Sequence, residues 1–270
     1  MTGWNIERAV DLLLAREAEH MAGGKITDKW PELDLATSYK AQDALIDRKV
    51  TEGQKVIGVK LGLTSRAKQQ RMGIDSPLTG WLTDAMVLPA DMPVPLDELI
   101  HPRVEPEIVF VMGERLAGSG VTAASALRAV ASVHAGFEVI DSRYTEFDFT
   151  LPDVVADNAS SSRFVVGGAS VPPDKLDLAL ETCVLSVGGE VVDSATGAAV
   201  QGHPAKALAL AANSLAARGV AIEPGWLVLT GGLTDAVFVE PGVQITAEFT
   251  HLGSISVTGL DRGPSCDLPR

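Results

Sequence analysis

The nine residues VEPEIVFVM, positions 104–112, carry a period of two that only an extended strand satisfies. Successive side chains on a strand point to opposite faces, so Glu105 and Glu107 share one face with Val109 and Val111, while Ile108 and Phe110 take the other. Two carboxylates among apolar neighbours repel each other and resist leaving water. A hard divalent cation would relieve both costs, because it prefers oxygen ligands and usually keeps several waters beside a few protein carboxylates. The same spacing also fits a half-exposed strand with both glutamates in water. Pro106, which lacks an N–H, permits an edge position. A third acid, Glu138, lies in AGFEVIDSRY (135–144), where Phe137 and Val139 face one way and Glu138 the other. Spacing along the chain says nothing about whether it meets the first two.

Outward from this strand the periodicity changes twice. Residues 55–63 (KVIGVKLGL) are β-branched and strand-like, and Lys60 shares a face with Val56 and Gly58 in an otherwise apolar run. Such a lysine is either exposed on an edge or buried for a purpose. A loop rich in Gly and Pro is expected after it, through Pro77, Gly80, Pro89, Pro93 and Pro95. Residues 123–135 read as a helix leading into a strand over 136–140, and 203–218 as a further helix. Strands are expected at 226–230, 236–239, 243–249 and 255–260, two of them joined by the turn Glu240-Pro241-Gly242. Upstream, Ile6, Val10 and Leu13 fall at helical spacing before Gly23 and Gly24. Asp34 can cap a second helix over 35–50 with Tyr39, Ile46 and Val50 along one stripe. The expected architecture is α+β: one catalytic domain over 1–270 with a large mixed sheet, on which a helical pair within 1–53 packs. Gly118-Ser119-Gly120 lacks the third glycine of a dinucleotide-binding turn and reads as a loop.

Composition narrows the function. The chain has 270 residues, 46% of them hydrophobic, and a formal net charge of −13, which opposes nucleic-acid binding because phosphates need clustered Lys or Arg. An acidic protein that takes an acidic substrate requires a local positive centre, either a buried Lys or Arg or a metal cation. No apolar run approaches the ~20 residues of a membrane span. The first residues carry acids within their apolar stretch and no cleavage signal, so no secretory leader is expected. Cys183 and Cys266 are too few and too distant for a disulfide framework or zinc cluster, and a cytoplasmic location is expected. His20, His101, His134, His203 and His251 lack zinc-hydrolase spacing, and no G-x-S-x-G elbow is present. His203, before Pro204 at a helix start, reads as structural.

Seven segments in order, GVKLGLTS (58–65), HPRVEPEI (101–108), FEVIDSRY (137–144), VVADNASS (154–161), GHP (202–204), LTGG (229–232) and LGSISV (252–257), cover most of the chain. Together they resemble the 2-oxopent-4-enoate hydratase and 4-oxalocrotonate decarboxylase family of the fumarylacetoacetate hydrolase superfamily. The resemblance implies a curved, barrel-like mixed β fold and a metal, Mg²⁺ or alternatively Mn²⁺, held by Glu105, Glu107 and Glu138. Pro106 departs from the small residue expected between the first two ligands. It also implies that Lys60 reaches a small 2-oxo dicarboxylate substrate, with Asp157 and Ser160 on the substrate side. Asp141 and Arg143 are candidate catalytic groups, with Arg143 pairing Asp141 or Glu146 or else meeting a departing carboxylate.

In the hydratase branch an acid follows the proline of the loop at 73–80; here that position is Leu78. Asp141 likewise resembles the decarboxylase branch, where hydratases show glycine, although Asp75 stands three residues before Leu78 and could serve as an acid. Decarboxylation of 2-oxohex-3-enedioate to 2-hydroxypenta-2,4-dienoate is therefore expected. A hydratase, an acylpyruvate C–C hydrolase and a non-catalytic assembly partner are the alternatives. A homo-oligomer and a complex with the pathway hydratase stay open.

Overall fold

The computed structural model describes residues 3–66, 69–70, 73–74, 76–90 and 92–260. Its helices are α1 (Ile6–Ala18), α2 (Leu35–Thr51), α3 (Ala123–Arg128), α4 (Leu151–Ala156) and α5 (Pro204–Ala217). Its strands are β1 (Val56–Gly62), β2 (Leu78–Thr83), β3 (Arg103–Met112), β4 (Val130–Ile140), β5 (Ser161–Val166), β6 (Thr182–Val187), β7 (Glu190–Thr196), β8 (Leu227–Leu229), β9 (Val237–Phe238), β10 (Gln244–Phe249) and β11 (Gly253–Thr258).

Seven strands form one mixed sheet in the order β2-β1-β8-β3-β4-β5, with β9 added beside β3. Among the described strands of this sheet β1 and β8 run parallel and the other pairings are antiparallel. Register shifts at Val56/Gly58, Val111/Met112 and Val139/Ile140 are points of extra bend and twist in a sheet that curves into a half-barrel. A second, antiparallel sheet runs β11-β10-β6-β7. Ile108, Phe110, Val133, Ala135 and Phe137 of the first sheet share the main core with Leu185, Ile245, Ala247 and Ile255 of the second and with Leu208 of α5. One face of β3 is thereby committed to the core, which leaves the glutamate face for the concave side.

The N-terminal helices form as expected. Asn5 caps α1 and Asp34 caps α2, the latter accepting from the Thr37 N–H at 2.7 Å. The stripe of α2 needs correction, since Val50 is exposed and Tyr39 half-buried. Its buried residues are Ser38, Ala41, Gln42, Leu45, Ile46 and Lys49, a wider face, because α2 packs on both α1 and α4. Gln42 Nε2 donates to the carbonyls of Thr79 and Val155, at 2.9 and 3.0 Å, and so ties α2 to β2 and α4.

Two other expectations change. The helix read over 123–135 stops at Arg128, and Val130–Ile140 is strand throughout, paired with β3 along its length. Val130 and Val133, β-branched and buried, favour that pairing over a continued helix. The Gly/Pro loop after β1 contains β2, which pairs with β1 from Thr83 back to Leu78. His203 caps α5 with its ring nitrogen, accepting from the Ala205 N–H at 3.1 Å. No helix among the described residues is long and apolar enough to cross a membrane.

Candidate metal centre and its cavity

The antiparallel register of β3 and β4 sets Glu105 directly opposite Glu138, and Glu107 opposite Gly136. Directly opposed side chains lie on one face about 4.5–5.5 Å apart at Cβ, with diagonal neighbours slightly farther. Glu107 and Glu138 are such a diagonal pair. One carboxylate oxygen from each of the three glutamates falls within 4.8 Å of the others. Glu107 and Glu138 are fully buried and Glu105 is half-buried.

Each glutamate is held differently. Glu107 Oε2 accepts from the Gly231 N–H at 2.6 Å, while its Oε1 is buried with no hydrogen-bond partner. Glu138 Oε1 accepts from Ser161 Oγ at 2.9 Å, and Lys60 Nζ lies 2.9 Å from its Oε2. At Gly232 a Cβ would stand 2.2 Å from Glu105 Oε2, so a larger residue there would displace that carboxylate. Gly231, at φ +111°, supplies its N–H from a conformation other residues resist.

Electrostatics point the same way. Burial, then repulsion from Glu138 and Glu105, pushes the Glu107 carboxyl well above the ordinary glutamate range, only partly offset by Lys60 and the Gly231 N–H. Burial opposes the charge on Lys60, but Glu138, Glu105 and Glu107 together more than offset it and raise its pKa. Three carboxylates and one ammonium, all ionised, leave a net charge of −2 in a buried pocket. A divalent cation cancels that charge and gives the orphaned Glu107 oxygen a partner. An all-oxygen donor set suits Mg²⁺ or Mn²⁺.

Above this trio lies a cavity of about 540 Å³, lined in part by Lys60, Leu78, Arg103, Glu105, Phe149, Val154 and Ser160. That is ample for a six-carbon acid. Of the residues singled out in the sequence, Lys60, Leu78, Glu105 and Ser160 reach the wall, and Glu107 and Glu138 sit beneath it in the trio.

Asp141, Arg143 and Asp157, named from the sequence as candidate catalytic or substrate-side groups, are not among the residues that line the cavity. Asp141 accepts from the Ile100 and His101 N–H groups at 2.9 and 2.8 Å, which fixes the chain entering β3. Arg143 is buried against Asp157 and donates to the carbonyls of Asp141 and Asp157, each at 2.6 Å. It pairs with the carboxylate of neither Asp141 nor Glu146. Burial pushes Asp157 up to about 6 despite the opposing pull of Arg143. Asp157 stands behind Ser160, whose hydroxyl donates to it at 3.4 Å. The three form a support for the wall. Asp75 lies outside the described residues.

Sequence reading passed over Ser161 and Arg103. Nothing local marks Ser161. Arg103 carried a signal, since it precedes Glu105 and Glu107 at the same two-residue spacing and therefore shares their face.

Residues 55–258 match the model of a family described as fumarylacetoacetate (FAA) hydrolase, C-terminal. The chain is 43% identical over 232 residues to a 4-oxalocrotonate decarboxylase of Pseudomonas putida, covering 86% of this chain and 88% of that one. It is 36% identical over 234 residues to a 2-hydroxyhexa-2,4-dienoate hydratase of Comamonas testosteroni, covering 86% and 89%. The solved structure of 4-oxalocrotonate decarboxylase from Pseudomonas putida G7, complexed with magnesium and adipate, superposes with a TM-score of 0.92 at 39% identity over 96% of this chain and 100% of that one. On the match over residues 55–258 and the agreement in sequence and fold along nearly the whole chain, this protein belongs to the fumarylacetoacetate hydrolase family.

Proposed function

We propose that this protein is a metal-dependent carboxy-lyase that converts 2-oxohex-3-enedioate to 2-hydroxypenta-2,4-dienoate and CO₂ in the meta-cleavage degradation of aromatic compounds. The observation that carries it is a buried three-carboxylate centre opening into a cavity whose wall presents Leu78, without a proton-donating group at that position. The relatives named above as decarboxylases support the same choice, as does the magnesium in the solved one.

In the reaction the C5–C6 bond breaks and C6 departs as CO₂. The electron pair left behind forms C4=C5, the C3=C4 pair moves to C2–C3, and charge arrives at the 2-oxo oxygen, which takes up a proton. A divalent cation on Glu105, Glu107 and Glu138 supplies, when bound, Lewis-acid stabilisation of that charge. Lys60 places a fixed ammonium beside Glu138 and the cavity, where it attracts an anionic substrate and donates to the oxygen that gains charge. The Ser160 hydroxyl would turn its single proton from Asp157, 3.4 Å away, to the C1 carboxylate. Leu78, Val154 and Phe149 keep water from the diene and provide no proton for carbon.

The hydratase relatives at 36% identity favour one other reading, addition of water to 2-hydroxypenta-2,4-dienoate on the same centre. Incubating the protein with 2-oxohex-3-enedioate and Mg²⁺, while following CO₂ and dienol absorbance, tests the proposal. Stoichiometric CO₂ and dienol are expected, and an unchanged diacid overturns it. The dienol is what a hydratase consumes, so the proposal includes a cytoplasmic setting and association of this chain with itself or with that hydratase. Sedimentation of the protein alone and mixed with the hydratase tests the association.

A further inference from the structure

We propose that Arg103 is the specificity-determining residue for the far carboxylate of the substrate, the one that leaves as CO₂; this rests on the dicarboxylate reading above. Arg103 opens β3 on the same face as Glu105 and lines the cavity. Its guanidinium carbon sits 4.3 Å from the ring centre of Phe147 and 4.3 Å from that of Phe238, so the group is held between two aromatic faces. Phe238 is its cross-strand partner on β9. Phe147 arrives from a turn in which Glu146 and Phe147 both take left-handed backbone angles, φ +55° and +59°, and its ring also stacks on His101 at 4.7 Å. Two successive non-glycine residues in that region cost energy and persist where the surroundings impose them.

This stack orients the guanidinium without consuming its donors. Arg103 Nε is buried with no hydrogen-bond partner. Buried donors are nearly always satisfied. Arg143 shows the usual solution, with donors spent on Asp157 and two carbonyls. The free edge of Arg103 therefore fits a planar carboxylate supplied from the cavity.

Arg103 and Glu105 stand two residues apart on one face of β3, about 6.8 Å along the backbone, and both line the cavity that would take the substrate. A carboxylate clamped too tightly would resist losing its charge as CO₂. A stacked guanidinium offering one edge instead holds the C5–C6 bond in a set orientation, so Arg103 acts on binding and choice of substrate more than on the bond-breaking rate.

The test uses the Mg²⁺-loaded protein and calorimetric binding of two inert acids. 2-Oxoadipate keeps both carboxylates but lacks C3=C4, and 2-oxohexanoate lacks the far carboxylate. The unmodified protein should bind 2-oxoadipate about 10- to 100-fold more tightly, the span of a charge-assisted hydrogen-bonded pair. R103M should abolish that preference while leaving 2-oxohexanoate affinity unchanged. With the reactive diacid, KM should rise by a similar factor and kcat should stay within a few-fold. R103K, which keeps charge but not the planar edge, should show a partial loss confined to the diacid and covers the case in which R103M does not fold. Equal weakening of both acids, or none in either variant, overturns the assignment. A chain that prefers 2-oxoadipate through Arg103 yet releases no CO₂ would refute the decarboxylase reading and leave this one standing.

Discussion

Glu107 has one oxygen on the Gly231 N–H and one with no partner, among charges that repel it. Glu107→Gln keeps the shape and removes a ligand charge. Metal affinity should fall by at least about 100-fold, beyond the usual effect of losing an outer-shell partner, and activity with it. Thermal unfolding separates this from misfolding. Mg²⁺ at 100 times its Kd should stabilise the unmodified protein by about 2.7 kcal/mol and the variant by no more than about 0.4 kcal/mol at that concentration. Without metal the variant should melt no lower than the unmodified protein, because a buried repulsion has been relieved. Full turnover in chelator would refute the metal centre. Lys60 makes a second residue-scale case. Lys60→Met keeps the volume and deletes the buried charge, so turnover should drop about 10²- to 10³-fold, as when a preorganised donor is removed. Steady-state assays at saturating Mg²⁺ read this, and normal turnover would mean that the lysine serves only to neutralise Glu138.

At the scale of elements, the β3 pattern is legible in the sequence because a period of two needs no partner to be read. That period alone puts Arg103, Glu105 and Glu107 on one face. The place of Glu138 is not legible from spacing, because the pairing Glu105↔Glu138 is a long-range register that no local period encodes; family resemblance supplies it. β2 is hidden for a different reason. Gly80 reads as a loop signal, yet the glycine is there because a Cβ would stand 2.8 Å from the Asn158 carbonyl. Asn158 in turn accepts from the Trp81 N–H at 2.7 Å and donates to the Trp81 carbonyl at 2.9 Å, as a third strand would. It starts a left-handed run, φ +49°, +52° and +59° from Asn158 to Ser160, that forms part of the cavity wall. Asn158→Ala strips both bonds and places alanine in a conformation asparagine tolerates better. A loss of about 2–4 kcal/mol in urea unfolding is expected, and a change under about 0.5 kcal/mol, the ordinary surface value, would show the clamp to be incidental.

For the whole molecule the question is which reaction a shared centre performs. The chain carries a net charge of −13, yet the described cavity wall sets Lys60 and Arg103 against Glu105 and Asp235, so a divalent cation on the trio would tip the site toward accepting a dianion. Both candidate chemistries use the trio and part at the proton. Loss of CO₂ needs only an electron sink, whereas hydration also requires a proton delivered to carbon, and a missing general acid costs about 10²–10⁴ in rate. Leu78 is buried, packed with Val154 and Val155, and chemically inert at the place where the hydratase pattern puts an acid. Paired assays on the unmodified protein should therefore give rapid CO₂ release from 2-oxohex-3-enedioate and slow hydration of 2-hydroxypenta-2,4-dienoate. Leu78→Asp sharpens the comparison. A carboxyl in that apolar cluster would be desolvated and hold its proton toward neutral pH, which is what a general acid requires. It would also admit water. Decarboxylation should fall, and hydration should rise from background to a measurable rate. Efficient hydration by the unmodified protein with no CO₂ from the diacid would reassign the reaction while leaving Glu105, Glu107 and Glu138 as the metal centre of either enzyme.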